Sequence, residues 1–378
     1  MFTRNYKFPE NTSFFIFGPR GVGKTNLLRN RFEGSLYFDL LESETYLRLS
    51  ANPSRLSDWI PLDYKQWVIV DEIQRIPELL NEVHRLIESR GLRFAVTGSS
   101  ARKLRKSGAN LLAGRALTQR MYPLTFLELG ESFNLPFYLV HGGLPSVWNH
   151  ESPRDYLKSY ASTYLREEVM QEGLVRNLVG FTRFLEAATY SQAQVLNMAT
   201  VARECSIQEK SVQQYFQILE DLFIATRIYC FDRKPKRKLV SHPKFYFFDC
   251  GIYETLRPKG LLDQQGGGGI HFESFFFQNL LAFNESSGTP YVISYWRSQK
   301  GEEVDFVLYG EKNIWAIEVK SANRLRADDF QGLLEFGIDY PQSKRMIIYT
   351  GERAWFEKGI QVVPLTQLKE TVALIFEH

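Results

Sequence analysis

Cysteine is scarce in this 378-residue chain. There are three, Cys205, Cys230 and Cys250, and none forms a CxxC pair. An odd number at such spacing excludes a disulfide framework and a zinc ribbon, and it fits a reducing compartment. Long hydrophobic runs are missing too: no eighteen consecutive apolar residues occur, so nothing reads as a membrane-spanning helix. The opening MFTRNYKFPENTS is polar and lacks the apolar core of a secretory leader, so the expectation is a cytoplasmic protein without a membrane partner. Neither sign of charge dominates: 46 Lys and Arg face 43 Asp and Glu, a formal net charge of +3. A nucleic-acid partner must therefore be argued from local patches rather than from the overall field. What remains is ordinary globular composition, 44% hydrophobic and 24% charged, in a chain long enough for two or three domains.

The strongest motif stands near the front. The apolar run SFFIF (13–17) suits a buried parallel strand, GPRGVGKT (18–25) follows it, and NLLRNRF then opens a helix. Strand, glycine-rich loop and helix in that order make a phosphate-binding loop. Gly18, Pro19, Arg20, Gly21, Val22 and Gly23 supply the backbone cradle, Lys24 a charge for the β- and γ-phosphates, and Thr25 a hydroxyl for Mg²⁺. After a strand at LYFDLL (36–41), the strand WVIVDE (67–72) ends in Asp71 and Glu72: the first is placed for the Mg²⁺ shell, the second to polarise the attacking water. A further strand, LRFAVTGSS (92–100), brings Thr97 and Ser99 toward the γ-phosphate as sensors, or simply ends in polar residues. Arg115 is the candidate for stabilising transferred charge, in its own site or a neighbour's, against the plainer reading of a surface ion pair. Between these, Arg102, Lys103, Arg105 and Lys106 form a basic cluster that suits a solvated helix face as well as a DNA contact.

Taken together, GPRGVGKT, VIVDEIQRIP, VTGSSARKL, LAGRA…YPLTFLE and GGLP resemble an AAA+-type P-loop ATPase family that carries DUF4143, a domain of unknown function, at its C-terminus. The resemblance covers essentially the whole chain. It implies an ATPase domain of the clan that includes replication and signalling ATPases, with ATP and Mg²⁺ as cofactors; a homo-oligomer is expected alongside.

The texture changes near residue 151. Helical stretches at 155–173, FTRFLEAATYS, NMATVARECS and EKSVQQYFQILEDL precede two strand-like runs, FIATRIYCFD and KLVSHPKFYFFD, the order of a winged helix. Its tip, RKPKRK (233–238), puts Arg233, Lys234, Lys236, Arg237 and Lys238 where phosphates are met. A protein–protein module with a solvated basic tip is the rival, and the weakly charged helix 209–222 argues against tight sequence readout.

After QQGGGG (264–269) comes a helix bearing Glu273, then strands at 292–298, 303–309 and 314–320. Asp305 lies on the second strand; Glu318 and Lys320 share one face of the third. This D…ExK arrangement resembles the PD-(D/E)XK nuclease superfamily. Asp305, Glu318 and the helical Glu273 would hold a Mg²⁺ or Mn²⁺ ion, with Lys320 beside the scissile phosphate. A degenerate version, or a plain Lys–Glu pair, is the competing reading.

The expectation is thus an α/β protein of three parts: a P-loop AAA+-type parallel-sheet domain (1–150), a winged helix-turn-helix domain (151–262) and an α/β nuclease-like domain (263–378). Its function is ATP hydrolysis coupled to remodelling or processing of DNA, branched forms included. The alternative is a nucleotide-controlled assembly switch with an inert nuclease-like fold.

Overall fold

The structure, a computed structural model, describes residues 2–100, 102, 115–171, 178–232, 242–258, 268–288 and 290–376. Five parallel strands open it: β1 (Ser13–Phe17), β2 (Leu36–Asp39), β3 (Trp67–Asp71), β4 (Arg93–Gly98) and β5 (Ala116–Arg120), in the order β2-β3-β4-β1-β5. β1 and β3 are buried along their whole length, which is why SFFIF and WVIVD are continuous apolar runs rather than alternating ones. Because β1 lies beside β4 and β4 beside β3, the carboxyl ends of all three strands meet in one crevice, the usual ligand position in a parallel sheet.

The middle part begins with one continuous helical segment. An α-helix, Pro153–Ser159, runs through a π-helical turn, Tyr160–Tyr164, into Leu165–Gln171. Helices Leu178–Thr189, Met198–Cys205 and Glu209–Asp221 follow, with a three-stranded antiparallel sheet β6-β8-β7 made from Gln194–Val195, Lys244–Phe247 and Ala225–Ile228. This is the winged-helix order of elements, with one short strand, β6, that two residues cannot announce in a sequence. The run FIATRIYCFD is expected to be one strand of a hairpin. Instead β7 stops at Ile228, and the chain crosses to the next domain, where Phe231 N donates to Tyr295 O (2.6 Å) and Tyr295 N to Tyr229 O (3.1 Å). Residues 233–238, the basic tip, lie outside the described residues.

The last part has a six-stranded mixed sheet. β9 (Val292–Arg297), β10 (Glu303–Tyr309) and β11 (Ile314–Lys320) form an antiparallel meander. The helix Gln331–Asp339 then returns the chain to β12 (Lys344–Tyr349), parallel to β11, and β13 (Trp355–Glu357) and β14 (Ile360–Pro364) complete the order β13-β14-β12-β11-β10-β9. The long helix Gly268–Ser286 covers the sheet with Phe272, Phe275, Phe276 and Phe277 buried. Of the glycine break expected at 264–269, Gly268 and Gly269 belong to this helix's first turn, where missing side chains cost little packing, and residues 264–267 lie outside the described residues.

Two loops are pinned to each other. Gly142, of the GGLP stretch, has φ 73°, and a Cβ there would fall 2.0 Å from Asp249 Oδ1. Asp249 caps the helix Cys250–Leu256 by accepting from Gly251 N (2.8 Å) and Ile252 N (3.1 Å), while its other oxygen accepts from Gly143 N (2.7 Å). One buried carboxylate thus ties the GGLP turn to the end of the β6-β8-β7 sheet.

Candidate nucleotide site and the C-terminal acidic centre

The loop after β1 turns into the helix Lys24–Arg31 through Gly23 at φ 98°, a conformation that a side chain would strain. Lys24 is 5% exposed, and its ammonium folds back to donate to Gly18 O (2.8 Å) and Pro19 O (2.9 Å). Burial lowers its pKa, with Glu72 and Asp71 opposing the shift. Thr25 Oγ1 donates to Asp71 Oδ2 at 2.7 Å, so hydroxyl and carboxylate adjoin at the end of β3. Tyr37 and Thr97 hydroxyls also bond Asp71, and Thr97 Oγ1 accepts from Glu72 N (3.1 Å). Glu72 sits at φ 61°, a rare left-handed conformation for glutamate, and Gln74 and Ser99 (3.1 Å) hold its carboxylate. The structure therefore brings Lys24, Thr25, Asp71, Glu72, Thr97 and Ser99 into one cluster. Within it, Thr97 and Ser99 bond the two acids directly.

The sequence did not reveal what faces this cluster from the middle domain. Tyr160, Tyr164 and Glu168 lie four apart along the helical segment and all point at the phosphate loop. Tyr160 donates to Arg20 O (2.8 Å), the Arg20 guanidinium lies 4.6 Å from the Tyr164 ring centroid, and Glu168 pairs with Arg20 at 3.7 Å. Ser99 Oγ donates to Glu168 Oε2 (3.3 Å), which puts a third carboxylate beside Glu72. Burial raises the Glu168 pKa, and Glu72 adds to the rise. The π-helical turn sets the phase of this face; such turns recur at functional positions. A Tyr-x₃-Tyr-x₃-Glu spacing was the available signal.

Two cavities flank the loop. One of about 630 Å³ lies against the first helix, lined by Val22, Gly23, Asn26 and Leu27 with Arg4 and Pro145. The other, about 310 Å³, separates Gly18, Pro19 and Arg120 from Gln217, Asp221 and Arg227 of the winged helix.

The remaining candidates lie elsewhere. Arg115 pairs with Glu88 at the protein surface. Arg102 reaches Asp221 of the helix Glu209–Asp221 (3.4 Å), while Lys103, Arg105 and Lys106 lie outside the described residues, as do Arg233, Lys234, Lys236, Arg237 and Lys238. Among the described residues no helix is long and apolar enough to cross a membrane.

The C-terminal acids do come together, around a residue not foreseen. Lys244, on β8 of the winged helix, enters the centre with its side chain 3% exposed. Its Nζ lies 3.2 Å from Glu273 Oε1 and 3.3 Å from Asp305 Oδ1, and it also pairs with Glu303. Tyr246, two residues on, donates to Glu273 (2.6 Å). Asp305 Oδ2 accepts from Val319 N (3.0 Å); Glu318 accepts from Asp305 N (3.3 Å) and from Lys320 Nζ (2.7 Å). Gln331 is exposed at the start of its helix. Burial, then the charge of Asp305, pushes Glu273 up to about 7 and Glu318 up to about 8. Burial opposes the charge of Lys244, yet Tyr246, Asp305, Glu273 and Glu303 together raise its pKa. The seat expected for a divalent metal thus holds an ammonium. Among the described residues no group of three or more His, Cys, Asp or Glu side chains is arranged to hold a metal ion.

Residues 10–130 match the family model described as AAA domain, residues 132–263 a domain of unknown function, DUF8612, and residues 268–368 another, DUF4143. The N-terminal part is accordingly an AAA-type ATPase domain. The chain is 24% identical over 330 residues to an uncharacterized protein of Methanocaldococcus jannaschii, covering 78% of this chain and 72% of that one. It is 22% identical over 253 residues to an uncharacterized protein of Haemophilus influenzae, 62% of each, which is less than two thirds of that relative's length. Among solved structures, the Aeropyrum pernix ORC1 protein in complex with DNA aligns at TM-score 0.29 and 14% identity, over 66% of this chain and 87% of that one. Protein VC1899 from Vibrio cholerae aligns at TM-score 0.24 and 12% identity, over 97% of each. Scores this low carry no functional argument.

Proposed function

From an AAA-type ATPase domain at the front and DUF4143 at the back, we propose that this protein hydrolyses ATP to drive its winged helix against DNA, remodelling or processing the DNA, branched forms included. The observation that carries the proposal is the reach of Glu168 from the middle domain to Ser99 and Arg20, beside Glu72. A group on the winged-helix side that touches the hydrolytic cluster is moved when the cluster changes partners.

Lys24 leaves the carbonyls of Gly18 and Pro19 for the β- and γ-phosphates, exchanging neutral acceptors for anionic ones. Backbone N–H groups of residues 20–23 line the phosphates, and the 630 Å³ cavity beside Val22 and Leu27 leaves room for the rest of the nucleotide. Thr25 and Asp71, hard oxygen donors already in contact, would hold Mg²⁺, which would supply positive charge to offset that of the phosphates. Glu72, fixed by Gln74 and Ser99, orients the attacking water and takes its proton. Arg115 belongs to the same proposal as a charge-stabilising group for a neighbouring copy in a homo-oligomer, released there from Glu88.

DNA is assigned to the tip at 233–238, where five of six residues are basic, rather than to the helix Glu209–Asp221, whose exposed Glu209, Lys210, Gln213 and Gln214 carry almost no net charge. The test is the ATPase rate with duplex, single-stranded and junction DNA. At least one form should stimulate it, and replacing the five basic residues with alanine should remove the stimulation while sparing the basal rate. If no form changes the rate and ATP instead alters oligomeric state, the protein is an assembly switch.

A further inference from the structure

Lys244 stands where a metal-dependent nuclease fold needs its cation. Its nitrogen lies 3.2–3.3 Å from the oxygens of Glu273 and Asp305, whereas Mg²⁺ requires oxygens at about 2.0–2.1 Å in near-octahedral array. The other donors are engaged as well: Asp305 Oδ2 by Val319 N, Glu318 by Asp305 N and Lys320, Glu273 by Tyr246. The residues present therefore do not fit a divalent metal. Nor is Lys244 a loose side chain that happened to fall inward. It comes from the middle strand of its sheet, paired to Val195 on one side and Ile228 on the other, and its neighbour Phe245 is buried in the winged-helix core against Phe216.

We propose that Lys244 is a built-in counter-cation: it replaces the divalent ion in the C-terminal acidic centre, excludes metal from it, and so turns a nuclease-like site into a charge latch between the winged helix and the C-terminal sheet. The latch goes beyond the ATP-driven function and is independent of whether DNA stimulates hydrolysis. A hydrophobic residue at 244 would leave the buried carboxylates without their partner, and they would recruit a cation from solution.

The test is Mn²⁺ binding to the nucleotide-free full-length protein, read by electron paramagnetic resonance of the free ion, in the wild type, Asp305→Asn, Lys244→Met and the double variant. Any Mn²⁺ held at Thr25 and Asp71 is common to all four and cancels. The wild type and Asp305→Asn should bind alike. Lys244→Met should gain a site that Asp305→Asn then weakens by about tenfold or more. A site in the wild type that Asp305→Asn removes overturns the proposal, and so does a folded Lys244→Met that gains no site. Should Lys244→Met fail to fold, the wild type against Asp305→Asn decides by itself.

Discussion

Two buried lysines face carboxylates in this molecule, and their surroundings drive them in opposite directions. Lys24 rests on two neutral carbonyls, with Asp71 and Glu72 near enough to pull but not to bond; burial wins and its pKa falls. Lys244 is equally buried but touches three carboxylates, and its pKa rises. An ammonium held by weak partners is ready to exchange them for a phosphate. One that is already neutralised by acids is a structural part. On the proposed reading, Lys24 is the reactive lysine because its neighbouring acids leave it unsatisfied, whereas those around Lys244 neutralise it.

The sharpest way to break this comparison is Lys24→Ala. Hydrolysis should fall by at least about 10²-fold while the melting temperature hardly moves, because the side chain bonds only two loop carbonyls. Normal hydrolysis in that variant would mean the loop is not the site. Next is Asp249→Ala, which leaves three backbone N–H groups without their acceptor and should cost about 2–3 kcal/mol in denaturant unfolding. Burial pushes the Asp249 carboxyl up to about 6. A raised acid pKa means the folded chain holds this proton more tightly than the unfolded one. This group's contribution is therefore fully present below about pH 4, declines as pH rises to about 6, and is flat above. Asp249→Asn should remove that segment of the stability profile.

Glu168→Gln sharpens the comparison at the domain boundary. It keeps the side chain's shape but removes the charge that meets Arg20, so DNA stimulation should fall about fivefold while the basal rate stays within about threefold. Equal loss of both would place Glu168 in the hydrolytic step itself. The smallest effect belongs to Arg115→Ala, whose pair with Glu88 is surface-exposed: stability should change by less than about 0.5 kcal/mol. A large loss of hydrolysis without loss of stability would identify it as the charge-stabilising arginine.

Much of the nucleotide cluster was legible because its parts are local. GPRGVGKT carries its own strand and helix, and Asp71–Glu72 ends an unbroken apolar run. The C-terminal meander was legible for a similar reason: strands expected at 303–309 and 314–320 are the strands found. What escaped came from across a domain boundary. Glu168 is one acid in a charged helix, marked only by its Tyr-x₃-Tyr-x₃-Glu spacing, and Lys244 is one cation in the apolar KFYFFD. Lys244 had one trace, an inward position shared with Tyr246 at period two, opposite Phe245 and Phe247. Sequence spacing also placed Glu318 and Lys320 correctly on one face, yet it could not say that this lysine pairs with the glutamate instead of flanking a metal.

The alternation along β8 has a consequence for how such chains can be taken apart. Phe245 and Phe247 belong to one core while Tyr246 belongs to the other, so four residues serve two hydrophobic interiors at once. Any fragment that starts after β8 inherits an acid nest with its counter-charge left behind, and any that stops there exports a naked cation on an aromatic strand. Recombination could swap the back half of this protein for another only by carrying β8 along with it.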